Sequence, residues 1–195
     1  MPVADPDSQD VTLLLRLWKE GDPDAMERLV PLIYPELRKL ARRNLKGSRD
    51  AQKVLSPTEL VHEAFLRMSG QNQPDWSHRA QFYYVAARVM RQVLVDYVRE
   101  QRSQKRGGGA SPVSLETVSI PGIGDNPIDV LDIHDALARL EQFDERKARV
   151  LELRFFVGMN TEEIAKVLDV SVITVARDVR TSMAWLRTQL HHRSA

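Results

Sequence analysis

Apolar residues recur at spacings of three and four along most of this chain, which is the period of an amphipathic helix. The first such stretch covers residues 11–19. Asp22 and Pro23 then predict the cap and the first position of a second helix. Pro31 and Pro35 are expected to break or kink that helix. Helical periods continue toward the C-terminus, so the pattern predicts an all-α fold.

The stretch LSPTEL at residues 55–60 predicts a well-defined helix start. Ser56 can cap the helix, Pro57 suits its first turn, and Glu59 can close a capping box. Four apolar side chains then turn inward: Leu60, Val61, Ala64 and Phe65. The outer face, either solvated or in contact with a partner, carries Glu59, His62, Glu63 and Arg67.

A short polar loop precedes a long helix at residues 79–106, whose predicted core stripe comprises Phe82, Val85, Ala86, Val89, Val93 and Tyr97. Rings and cations are interleaved around its start and along its length: Trp76, Tyr83, Tyr84, Arg79, Arg88, Arg91 and Arg99. Bases stack on rings with about 1 to 3 kcal/mol each, while cations follow phosphates, so this pattern suits single-stranded nucleic acid. Alternatively, the rings belong to the core and the arginines to a solvated face.

Composition changes at RGGGASPVSLETVSIPGIGDNP, residues 106–127, where Gly, Pro and Ser accumulate and no helical or strand period remains. We interpret residues 106–128 as a flexible linker. It would join two small helical domains at residues 10–105 and 129–190.

Residues 161–186 have the pattern of a helix-turn-helix, a unit that places its second helix in the DNA major groove. Thr161 is expected to cap the first helix and Ser171 the second, with Asp169 in a left-handed turn. The second helix would bury Val175, Val179, Met183 and Leu186. Its outward positions would be Thr174, Arg177, Arg180 and Thr181. An ordinary helical hairpin is the alternative.

Charge is distributed unevenly although the formal net charge is only +1. Basic residues dominate segments 38–53 and 88–106 and the end of the chain from Arg177, while segment 129–145 is acidic. A net charge this small argues against a general nucleic-acid coat. The acidic segment is instead expected to dock on the basic first domain in the free protein and to hide its DNA surface.

Several classes of function are excluded or disfavoured by what the sequence lacks. The absence of cysteine excludes disulfides, thiolate zinc sites and thiol catalysis. The N-terminus is polar and no apolar run approaches membrane length, which predicts a cytoplasmic protein without membrane insertion. No phosphate-binding loop, metal cluster or nucleophile constellation is visible, so we expect no catalytic residue, no metal and no cofactor. His191 and His192 are read as a frayed tail.

Three segments together resemble extracytoplasmic-function (group four) type sigma factors of the sigma-70 family. They are the capped stretch SPTELVHEAFLRM, the helix RAQFYYVAARVMRQVLVDYVR and the C-terminal stretch ELRFFVGMNTEEIAKVLDVSVITVARDV. The resemblance covers residues 10–190. It implies a protein without chemistry of its own that directs core RNA polymerase to promoters and helps to open them. The implied partners are core RNA polymerase and promoter DNA, and an anti-sigma factor is left open.

The resemblance also implies three sites. Core polymerase would bind the outer face of the capped helix, at Glu59, His62, Glu63 and Arg67. The -10 element would be captured by the loop at residues 72–78 and held by Trp76, Phe82, Tyr83, Tyr84, Arg88, Arg91 and Gln92, with Asp96 and Arg99 at family polar positions near the helix end. The -35 element would be read by Ser171, Thr174, Ala176, Arg177, Arg180 and Thr181. Asp169 replaces the usual turn Gly and Ala176 a frequent Lys, so the -35 affinity is expected to be weaker or differently tuned.

Two other functions fit parts of the sequence. A helix-turn-helix transcription regulator would bind palindromic DNA without core polymerase. A helical anti-sigma or adaptor protein would use the same basic and aromatic residues to pack against protein, and it would inhibit transcription.

Overall fold

The computed structural model describes residues 6–45, 55–69, 79–106, 117–118 and 128–191. Its helices are α1 Pro6–Lys19, α2 Pro23–Leu45, α3 Pro57–Met68, α4 Arg79–Arg106, α5 Val130–Phe143, α6 Glu145–Leu151, α7 Thr161–Leu168 and α8 Val172–His191. Helix α6 continues into a π-helical turn, Glu152–Val157. Two strands of two residues each, β1 Thr117–Val118 and β2 Ile128–Asp129, pair antiparallel. The prediction of an all-α fold is confirmed, although β1 and part of β2 lie inside the segment predicted to be an unstructured linker.

Helix α2 runs through both of its prolines, so of the two outcomes expected there, a break or a kink, the break does not occur. It begins at Pro23 as predicted, and the Asp22 carboxylate accepts a hydrogen bond of 2.9 Å from the Asp24 N–H. Pro31 and Pro35 are exposed, and the carbonyl groups that proline leaves unpaired can be solvated on that side. The opposite face holds the helix in place by burying Ala25, Leu29, Ile33, Leu37 and Leu40.

Helix α3 begins with the predicted capping box. The Ser56 hydroxyl accepts from the Glu59 N–H at 3.2 Å, and the Glu59 carboxylate accepts from the Ser56 N–H at 2.6 Å. The hydrogen bond from the Ser56 backbone and that from its side chain lower the pKa of Glu59. This local network fixes the start of the helix and hence which side chains α3 turns outward.

Helix α4 is the central element, in contact with α1, α2, α3, α5 and the π-helical turn. One apolar cluster includes Leu15, Phe82, Met90, Ile133 and Leu151, all almost fully buried. These residues come from both sides of segment 106–128, so the helices before and after it share a core. A second, smaller cluster lies within the C-terminal helices and contains Val150, Leu153, Ile164, Ala165 and Val175.

Candidate nucleic-acid interface

The first helix of the helix-turn-helix is capped by Asn160, so the prediction that Thr161 caps it is wrong. The Asn160 side chain accepts from the Glu163 N–H at 2.8 Å, and the Glu163 carboxylate accepts from the Asn160 N–H at 2.7 Å. This capping box requires an acidic residue three positions after the cap, which Asn160 has and Thr161 lacks. Gly158, at φ 87°, ends the preceding π-helical turn.

The turn between α7 and α8 has the predicted geometry. Asp169 is left-handed, at φ 52° and ψ 49°, and the Val170 N–H donates to the Ala165 carbonyl at 3.0 Å. Ser171 caps α8, since its hydroxyl accepts from the Thr174 N–H at 3.1 Å. Val175 is buried between the two helices, so the corner is packed as well as hydrogen-bonded.

The outward face of α8 carries four of the residues assigned to the -35 element: Ala176, Arg177, Arg180 and Thr181. Thr174 is half-buried, and the Thr181 hydroxyl donates to the Arg177 carbonyl at 3.0 Å. The single acidic residue within Val172–His191 is Asp178, which is 1% exposed. Its carboxylate accepts from Arg146 at 2.9 Å, an ion pair that ties α8 to α6. The outward face of α8 therefore carries two arginines beside the small residue Ala176, and it presents no carboxylate.

Val172 and Ile173 are also exposed on this helix, and the sequence analysis missed them. Both side chains are apolar, so they fall outside the polar positions from which DNA contacts were predicted. The available signal was the spacing of four between Ile173 and Arg177, which puts both on the same face.

Two of the rings assigned to the -10 element belong to the core as placed here. Phe82 is 0% exposed and Tyr83 is 6% exposed, and both join the large apolar cluster. Burial raises the pKa of Tyr83. Neither ring presents a free face to a base, which corrects their assignment to direct contact with the -10 element and favours the core alternative for them. Trp76 and the loop at residues 72–78 lie outside the described residues.

Three of the remaining -10 residues of α4, Tyr84, Arg88 and Arg91, contact the C-terminal helices, whereas Gln92 donates to Asp96 of the same helix. Arg88 donates to both oxygens of Glu141, at 2.7 and 3.2 Å, and Arg91 forms a buried ion pair with Glu152. We call these four residues the clamp. Glu141 lies within residues 129–145, so the expected contact of the acidic segment with the first half of the chain is present at this residue, and the hiding of a DNA surface stays a prediction.

Aromatic rings extend the clamp. The Arg149 guanidinium lies 5.1 Å from the Tyr84 ring centre, and Arg91 lies 5.2 Å from that of Phe156. Burial, followed by the nearby Glu152 carboxylate, raises the pKa of Tyr84 to about 12. Burial lowers the pKa of Arg91, which nevertheless carries a charge at neutral pH because an arginine guanidinium remains protonated in proteins. Arg88, Arg91 and Tyr84, which are suited to contact a DNA strand, thus contact groups of the protein instead.

The outer face of α3 is exposed at Glu59, His62 and Glu63, as predicted. Arg67 pairs with Asp96 of α4 at 2.7 Å, and Asp96 also accepts from Gln92 at 2.7 Å. Burial raises the pKa of Asp96, but the hydrogen bonds from Arg67 and Gln92 outweigh it and the net shift is downward. Arg67 therefore joins α3 to α4 as well as facing outward.

Within the described ranges, no group of three or more His, Asp or Glu side chains is arranged to hold a metal ion. No helix in the described part of the chain is long and apolar enough to cross a bilayer.

Comparison with known proteins decides among the functions that this geometry allows. A family model described as "ECF sigma factor" matches residues 8–192. The chain belongs to the ECF sigma factor family. This sigma factor directs RNA polymerase to promoters, and its partners are core RNA polymerase and promoter DNA. The family therefore favours this function over the regulator and adaptor alternatives.

This sigma factor was also compared with curated proteins and with solved structures. A search of curated proteins found no match. Among solved structures, the chain is similar to CnrH in complex with the cytosolic domain of CnrY, at 20% identity and a TM-score of 0.40. That similarity covers 94% of this chain and 98% of the other.

Proposed function

We propose that this sigma factor divides promoter recognition between two surfaces and binds core polymerase through a third. Helix α8 reads the -35 duplex, α4 and the loop before it hold the opened -10 strand, and the outer face of α3 binds core polymerase. The observation that carries the proposal is the acid-free outward face of α8 on a packed helix-turn-helix. In this proposal the sigma factor works in the cytoplasm and contributes recognition and strand opening, while the polymerase supplies the chemistry.

The -35 contacts follow from the chemistry of the α8 face. Arg177 and Arg180 can each donate two hydrogen bonds to a guanine edge, the commonest specific contact in the major groove. Ser171 and Thr174, at the start of the helix, are placed to contact phosphate. Ala176 leaves room for a base pair to approach, and Thr181 lies at the edge of the same face.

The -10 surface is used only after the clamp opens. Tyr84, Arg88, Arg91 and Gln92 are the α4 residues retained for strand binding, and Trp76 is retained in the preceding loop. Phe82 and Tyr83 support them from the core. In the closed protein Glu141 pairs with Arg88 and Glu152 with Arg91, so these carboxylates take the positions that DNA phosphates would take. Polymerase binding must therefore be accompanied by separation of α4 from the C-terminal helices.

Run-off transcription with purified core polymerase on genomic fragments tests the proposal. Addition of the chain should produce transcripts from discrete start sites, and core polymerase alone should not. Binding to palindromic DNA without polymerase, with no run-off product, would instead support the regulator alternative.

Reversing the charge of Glu63 should weaken binding to core polymerase by about tenfold, equivalent to ~1.4 kcal/mol. Glu63 is exposed and outside the capping box, so Glu63→Lys leaves the helix start intact, whereas changing Glu59 would remove a cap bond. Affinity for labelled core polymerase is the measurement, with circular dichroism to check helix content. Glu20→Lys, an exposed charge reversal after α1, is the control. Equal affinities for both variants would contradict the assignment.

Mild acidification should loosen the contact between α4 and α5. His134 of α5 is partly buried, and its Nδ1 lacks a hydrogen-bond partner. Burial and then the Arg91 charge lower its pKa below 6.5, with a smaller contribution from Arg99, and the opposing charges of Asp135 and Asp96 do not reverse this shift. The closed form therefore prefers neutral His134. The resulting stabilisation is present above pH 6.5 and is lost as the pH falls through the lowered value.

Distances between labels on the two halves of the chain, measured from pH 7.5 to 5.5, check this expectation. The open fraction should rise toward pH 5.5 in the wild type and change less in His134→Gln. An identical pH response in the two proteins would contradict a role for His134.

A further inference from the structure

Two exposed apolar side chains begin helix α8. Val172 and Ile173 follow the Ser171 cap directly, and Ile173 is 82% exposed. β-Branched side chains have a lower helix propensity than Arg, Lys, Gln or Glu, any of which could stand at such an exposed site. An adjacent pair of this kind, at the end of the helix that enters the groove, forms a small surface that would gain from burial against a partner.

The chemistry around Ile173 indicates what that partner is. At 100° per residue, Ile173, Arg177 and Arg180 lie within about 60° of one another on the helix. The positions between and beside them are the small residues Ala176 and Ala184, and the helix has no exposed acidic residue. The apolar side chain of Ile173 is flanked by the cations Arg177 and Arg180. Such a surface is complementary to a partner that has an apolar group with negative charges on either side. The major groove offers this at thymine, whose C5-methyl group lies between the phosphate backbones.

We propose that Ile173 contacts the C5-methyl group of a thymine in the -35 element, about two base pairs from the guanine read by Arg177. Four residues of helix advance ~6 Å, and one base pair rises ~3.4 Å, which sets this spacing. The inference rests on the proposed reading of the -35 duplex by α8. It adds the identity of one base to be recognised and the residue that selects it.

Selection from a randomised promoter library by holoenzyme, made from core polymerase and the full chain, tests this inference. The library is prepared once with thymine and once with deoxyuridine, which lacks only the methyl group. Wild-type holoenzyme should enrich thymine at one position near a selected guanine and should prefer thymine over uracil there by about fourfold, as expected for burial of one methyl-sized group. Ile173→Ala should lose this preference and keep the guanine.

Conservative and distant variants separate the contact from a folding effect. Ile173→Val, which keeps a branched methyl surface, should retain the preference for thymine, and so should Leu13→Ala, which removes an exposed apolar side chain from α1. Equal use of thymine and uracil by the wild type, or an unchanged preference in Ile173→Ala, would overturn the inference. So would an equal loss of binding on every sequence, which would point to a protein contact. Absence of the guanine in the wild-type selection would overturn the -35 assignment of α8 itself.

Discussion

Replacing Glu152 by Gln should open the free protein. The ion pair of Glu152 with Arg91 is buried on both sides, and loss of one charge leaves the other buried without a counterion. Breaking such a pair costs about 3 to 5 kcal/mol, more than an exposed ion pair usually contributes. Because the chain has no cysteine, Glu27→Cys in α2 and Ala184→Cys in α8 provide two unique positions for spin labels. Their separation should increase and broaden in Glu152→Gln, and affinity for single-stranded DNA should rise.

Two matched variants make this experiment decisive. Glu162→Gln removes an exposed carboxylate from α7 and should leave the label distance unchanged. The double variant with Arg91→Met and Glu152→Met removes both buried charges and should close again, because apolar side chains of similar volume can replace a buried pair. A Glu152→Gln protein with wild-type label distances would show that the clamp does not hold the closed form.

Arg177→Ala and Arg180→Ala should each weaken holoenzyme binding to duplex promoters by about tenfold or more. Each removes a major-groove contact of roughly 1 to 3 kcal/mol, and neither supports the core, since both side chains are exposed. Filter binding on matched and scrambled -35 sequences measures the effect, with Arg28→Ala in α2 as the control. Equal weakening on both sequences would show that these arginines contact phosphate and do not read bases.

A template that is already melted separates the two DNA tasks. The arginine variants should keep their binding defect on it, because their contacts are to duplex DNA upstream. Tyr84→Ala should have the opposite behaviour, failing on duplex promoters and recovering on the melted template, because stacking requires an exposed base.

The features predictable from sequence are those set by neighbours in the chain. The capping box of Ser56 and the left-handed Asp169 are decided within three or four residues, and both predictions are confirmed. The cap at Asn160 was equally local and could have been found from the position of Glu163. The continuity of α2 through two prolines is not decided by neighbouring residues in the chain, because it depends on the apolar face that other helices cover.

Burial along α4 could not be predicted because it depends on several partners at once. A single helical period predicts one buried stripe, whereas α4 is covered by helices from both ends of the chain, and this coverage buries Tyr83 as well as Phe82. The same limit applies to the clamp. Segment charge indicated a docking of residues 129–145, which includes Glu141, but the buried partner Glu152 lies beyond that segment.

The π-helical turn Glu152–Val157 links the clamp to the DNA-reading helix through its register. A π-helical turn holds one more residue than an α-helical turn over a similar length, as when the Gly158 N–H reaches back to the Leu153 carbonyl at 2.9 Å. Deleting one residue here would restore an α-helical turn and rotate everything after Gly158 by about 100° relative to Arg91. The one extra residue in the π-helical turn thus determines the direction in which Arg177 and Arg180 point while Glu152 is paired with Arg91 of α4.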